Sequence, residues 1–165
     1  MPLTLTQFQT IKVWLLANAG SLNDQQAADA LNADATPPYY IYKISLPVEE
    51  VMSNGFDWTR VDNLSVGKAR IWEWMTRARQ VDGVDVIDPS KPHVRAGINE
   101  TWKGTAADLA VRAVVYTHVY EAASVTEKLL ATGLGVVPDA NGEGPGTPGF
   151  VGTITPQDVV DAYNS

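Results

Sequence analysis

Cysteine is absent from this 165-residue chain, so structural disulfides and thiolate metal sites are excluded. Long apolar runs are absent too, and no stretch approaches the ~20 residues that a membrane-spanning helix needs. The opening segment, MPLTLTQFQTIKVWLLANAG, has no basic stretch, and Gln and Thr interrupt its apolar residues; no signal peptide is expected there. An excess of positive charge is also missing. The net charge is −7, whereas a general nucleic-acid binder shows a basic excess, because phosphate neutralisation supplies most non-specific affinity. The charge is unevenly spread. Residues 60–112 hold nine Lys/Arg against seven acids, while residues 133–165 hold four acids and no Lys or Arg. The middle can therefore form a local basic patch, and the acidic C-terminal part can meet a basic surface on a neighbouring subunit.

What is present suits one folded domain of ordinary hydrophobicity, 45% apolar residues, long enough to bury a core. Phe8, Ile11 and Leu15 recur at helical spacing and predict a helix over 5–18, capped by Thr4 or Thr6 and stopped by Gly20. Asn23 with Gln26 opens a second helix as a capping box. Tyr39–Ser45 is aromatic and β-branched and follows a Pro pair, which predicts a strand or an extended core segment. A lone strand needs a partner, within the chain or in another subunit. Pro47 starts a short helix. Ser65 caps VGKARIWEWMTRAR, and residues 81–91 read as an acidic loop. Ser90 with Pro92 opens the next helix. Thr105 with Asp108 opens the most apolar one, expected to run through AADLAVRAVVYTHVYEA. Ser124 with Glu127 opens another that ends at Gly133.

Beyond Gly133 the composition changes. Residues 134–149 are rich in Gly and Pro, and no regular element is expected. Phe150–Ile154 reads as a short strand, and Thr155 with Asp158 as a helix start. Fixing each backbone residue costs about 1–2 kcal/mol, and few side chains in this stretch can offset that. A neighbouring molecule is therefore expected to order it if it is ordered. The fold expected is mostly α: a compact helical bundle with one or two short extended or β segments and a long extended C-terminal arm. The division expected is a helical domain over 1–133, a linker arm over 134–149 and a docking peptide over 150–165. Candidate partner-binding residues in the arm are Val136, Val137, Phe150, Val151, Ile154, Val159 and Tyr163.

Constellations that carry chemistry fail on spacing. Gly67-Lys68 resembles the end of a phosphate loop, but Asp62 and Ala69 stand where Gly and Ser/Thr are required. His93 and His118 lack a metal-binding spacing. Asp82, Asp85 and Asp88 do not follow the alternate-position pattern of a calcium loop; a solvated acidic loop is the simpler reading. Ser65 and Ser90 read as caps. No catalytic, metal or cofactor site is assigned, and the chain is read as a non-enzyme. A small hydrolase using His93 or His118 with a carboxylate remains the reading from another class. The five tryptophans read mainly as core, but tryptophan is also enriched at binding hot spots. Trp72 and Trp74 cannot both point inward from one helix. With Arg77 and Arg79 they make a candidate subunit interface.

The segment NGFDWTRVDNLSVGKARIWEWM, residues 54–75, resembles a family of tailed-phage and prophage proteins. The likeness continues through DPSKPHVRAGINETWKGTAADLAVRAVVYTHVYEAASVTEKLLATGLG and covers roughly residues 27–134, with a weaker echo in GFVGTITPQDVV. These stretches mark a lineage and carry over no catalytic residues. The resemblance implies a small virion or virion-assembly protein, made in the bacterial host cytoplasm and built into the particle. A helical domain with an extended C-terminal arm is also similar in architecture to head–tail connector adaptors. Those form rings below the portal and bind portal subunits through the arm. The implied partners are further copies of the chain (a ring, of twelve if it follows the portal), the portal protein, and tail or head-completion proteins. DNA would pass through such a ring without sequence-specific binding. The alternatives are another tail-side or capsid-associated structural protein, or a small DNA-binding packaging protein acting through residues 60–112.

Overall fold

The computed structural model describes residues 2–165. The chain is mostly helical, with two small open sheets. Helices α1 (Leu5–Asn18) and α2 (Asp24–Asn32) precede strands β1 (Tyr40–Tyr42) and β2 (Leu46–Pro47). Two single-turn helices, α3 (Val48–Val51) and α4 (Thr59–Asp62), lead to α5 (Val66–Arg77). A hairpin of β3 (Gln80–Val81) and β4 (Val84–Ile87) comes next. Then follow α6 (Pro92–Thr101), α7 (Ala106–His118), β5 (Tyr120–Ala122), α8 (Val125–Leu130) and α9 (Pro156–Asn164).

Contacts divide the chain into two compact units that interleave in sequence. One unit takes the residues up to Ile41, Ala122–Val136 and Pro145–Ser165. Its helices are α1, α2, α8 and α9, and its core joins Ile11, Leu15, Ala28 and Leu31 to Phe150, Ile154, Val159 and Ala162. Four capping boxes satisfy the first-turn amides: Thr4 with Gln7, Asn23 with Gln26, Ser124 with Glu127, and Thr155 with Asp158. Each box satisfies two otherwise orphaned donors reciprocally.

The long extended C-terminal arm is not what forms. Helix α9 packs against α1 and α2, and Asn32 binds Ile154 both ways, its Nδ2 donating to Ile154 O and its Oδ1 accepting from Ile154 N. Phe150–Ile154 forms no strand. The glycine-rich stretch is ordered by its own chain, through backbone bonds and glycine–tyrosine contacts that side-chain composition does not register. Tyr40 N donates to Gly135 O, Gly146 N to Tyr40 O, and Thr132 and Thr147 exchange two bonds. The Tyr39 ring lies so close to Gly135 that a Cβ there would sit 2.0 Å from it, and its hydroxyl donates to Gly133 O.

The other unit is Tyr42–Glu121 with Val137–Gly144. Its core gathers Tyr42, Leu46, Val51, Phe56, Trp72, Ile98, Trp102, Val115 and Val119. Phe56, Trp72 and Trp102 meet at centroid separations of 5.2–6.0 Å. Strand β4 lies between β2 and β3, pairing Leu46 with Ile87 and Val81 with Val84.

Four local expectations change. The expected loop over 81–91 is instead largely taken up by the β3–β4 hairpin, which starts at Gln80 and is turned by Asp82 and Gly83, both at positive φ (52° and 80°), the conformation an Asp-Gly turn favours between twisted strands. Helix α7 stops at His118, because Tyr120–Ala122 instead forms β5 and pairs with β1. The Tyr39–Ser45 strand therefore shortens to Tyr40–Tyr42 and finds its partner in the same chain. Ser90 does not cap α6: its N-cap is Lys91, without a side-chain bond, and Ser90 Oγ donates to Asp88.

Candidate interaction surface

Helix α5 presents two different faces. Trp72 is buried at 5% exposure in the aromatic cluster, while Trp74, two residues on, is 66% exposed. Residues two apart on a helix point in widely different directions, so only one of the pair can reach the core. Val66, Arg70 and Trp74 follow one another at i, i+4, i+8, and Val66 is 74% exposed. The Arg70 guanidinium lies 5.8 Å from the Trp74 ring centre, within reach of a cation–π attraction. Arg77 pairs with Glu73 at 2.9 Å. Arg79 is turned away from this face: it donates to Ile44 O at 2.8 Å and stands 3.6 Å from Asp88. The four interface candidates thus separate into one core residue, one exposed anchor and two paired cations.

Beside this stripe lies a groove of about 450 Å³ lined by Val48, Met52, Trp58, Val61, Trp72 and Asp85. It shares Val48, Met52, Trp58 and Asp85 with a second hollow of about 630 Å³ that adds Glu49 and Val84. The floor is apolar, and Trp58 is 59% exposed. The rim carries Glu49 and Asp85 from these two hollows, and on the α5 side Glu73 already paired with Arg77.

A second feature is the segment 137–144, fastened around Arg95. Arg95 is 7% exposed. Its Nε and Nη2 donate to the two Glu143 carboxylate oxygens at 3.0 and 3.2 Å, and its Nη1 donates to Pro89 O and Ser90 O. Its guanidinium sits 4.5 Å from the Tyr42 ring centre. The Tyr42 hydroxyl donates to Gly142 O, and burial pushes that phenol's pKa up. Asp139 accepts from the backbone of Glu143 and Asn141, bonds that hold its carboxyl below the usual range.

Most cations of residues 60–112 are occupied. Arg60 donates to Asp108 at 2.7 Å, with Lys68 3.9 Å away; the Arg60 bond is the main reason the Asp108 carboxyl lies below the usual range. Lys103 pairs with Glu100 at 2.6 Å. Six of the nine cations in this stretch thus lie within 4.0 Å of a carboxylate oxygen.

The remaining candidates are scattered. Phe150, Ile154 and Val159 are buried in the first unit's core and Tyr163 is half-buried against it, while Val136, Val137 and Val151 are exposed. His93 is exposed at the start of α6; His118 lies at the end of α7 with Nδ1 3.9 Å from Glu50. Asp82 sits in the hairpin turn, Asp85 accepts from Gln80, and Asp88 accepts from Ser90. Among the described residues no three His, Cys, Asp or Glu side chains gather to hold a metal ion. No helix among them is long and apolar enough to cross a membrane. The groove and the carboxylates at its edge have no signature in the local sequence pattern. They depend on the hairpin, whose Asp-Gly turn between valines was the available signal.

The chain matches no protein-family model, and no curated protein or solved structure is significantly similar to it.

Proposed function

We propose that this chain is a structural protein of a tailed-phage virion, a head–tail connector adaptor that assembles with copies of itself and meets the portal. The observation that carries the self-association is the exposed Val66–Arg70–Trp74 stripe beside an apolar groove containing exposed Trp58. Large exposed apolar patches on a folded surface mark interaction sites, and Trp and Arg are the residue types enriched at binding hot spots. The virion setting rests on the sequence resemblance over residues 27–134. Contact with the portal through the C-terminal segment belongs to the same proposal. With α9 seated on α1 and α2, the side chains it offers are Val136, Val137 and Val151; Phe150, Ile154 and Val159 become available only if α9 leaves its core.

Quantitative mass spectrometry of purified particles tests this placement. The proposal expects the chain in the particle at a fixed stoichiometry, twelve copies alongside a dodecameric portal. Absence from the particle overturns it.

A further inference from the structure

We propose that the groove lined by Val48, Met52 and Trp58 receives the Val66–Arg70–Trp74 stripe of a second copy of the chain. This rests on the reading of the protein as self-assembling and names the surfaces that do it. The argument is charge and shape complementarity within one compact unit. The stripe is apolar and aromatic with one cation, and Arg70 has Trp74 as its neighbour and no carboxylate partner among the described residues. The groove offers the converse, an apolar floor with Glu49 and Asp85 at its edge, while the one cation lining it, Arg77, is paired with Glu73. Glu49 is exposed and likewise has no hydrogen-bond or ion-pair partner among the described residues. Asp85 accepts one bond from Gln80 and keeps capacity for another.

Seating Trp74 over Met52 and Trp58 removes large exposed apolar surfaces from water together. Methionine adapts well to an incoming ring, and an aromatic anchor in an apolar pocket is the usual centre of a stable interface. Arg70 travels with Trp74 and reaches the carboxylates at the rim. Charges placed this way set register and reject wrong partners more than they add affinity. The stripe and the groove are different patches of one surface, so each copy can give one and receive the other.

Sedimentation velocity on the full chain, over a range of concentrations, tests the pairing with Arg70→Glu, Glu49→Arg and the double variant. Both changed side chains are exposed, and circular dichroism checks that the fold survives. Each single reversal is expected to weaken association about tenfold or more, because it sets like charges face to face. The double variant, which restores opposite charges across the contact, should recover most of the loss. Association indifferent to the single reversals, or a double variant no better than the singles, overturns this pairing while leaving self-assembly standing. A chain monomeric at every concentration overturns both.

Discussion

Arg95 does at one position what usually takes several residues. It is buried yet fully engaged, stacking on Tyr42, donating to two carbonyls and gripping Glu143 with both arms of its fork. Removing the guanidinium strands the Pro89 and Ser90 carbonyls in a dry site. Arg95→Ala is therefore expected to cost about 2–3 kcal/mol in urea unfolding. Glu143→Gln should cost less than about 1 kcal/mol, because that carboxylate faces solvent and its pairing is screened. Equal losses would place the stabilisation in the ion pair rather than in the buried arginine. Asp108 carries a pH dependence. Its pKa is held below the ordinary aspartate value, first by the Arg60 bond, so the folded state binds its proton less readily than the unfolded chain. Its contribution is present above about pH 4 and disappears as the pH falls through the folded-state value. Asp108→Asn should flatten the acid limb of the stability curve. An unchanged acid limb would assign the acid loss to other carboxylates.

Two elements show where sequence patterns succeed and where they stop. The capping boxes read at Asn23, Thr105 and Ser124 are formed, and Thr4 and Thr155 close boxes at their helix starts as well, because a cap is a contact within four residues and its signal is local; Ser65 holds the N-cap position of α5 without a side-chain bond. The opposing orientations of Trp72 and Trp74 follow equally from helical spacing. The packing of the C-terminal segment is not legible in the sequence for a physical reason: its glycines let the backbone approach tyrosines far away in sequence, a stabilisation absent from any count of apolar side chains. Gly142 shows the same device, since a Cβ there would lie 2.3 Å from the Tyr116 ring and its φ is +81°. Gly142→Ala should destabilise by more than about 2 kcal/mol, from strain and overpacking together; a neutral result would mean that the 137–144 segment is not held against α7. Helix α9 is likewise structural in its own unit. Burial of Phe150, Ile154 and Val159 contributes roughly 1.5–3 kcal/mol each, comparable in sum with the whole stability of a small domain. Deleting residues 150–165 should therefore abolish hydrogen-exchange protection in α1 and α2. Retained protection would show that α9 is dispensable and free to serve as a docking peptide.

For the whole molecule, two cores are each assembled from segments distant in sequence, and the surface keeps large aromatic and aliphatic groups in the open. The net charge of −7 keeps such a chain soluble while opposing unguided association, so contacts between copies must match charge as well as shape. Heterologous contacts generate closed rings when their rotation closes and open filaments when it does not. The adaptor reading requires closure. Native mass spectrometry of the purified full chain, paired with negative-stain imaging, tests that requirement most directly. The account predicts a discrete closed homo-oligomer seen as rings, twelve subunits if it follows the portal. A monomer at all concentrations, or an open-ended distribution of filaments, would contradict it.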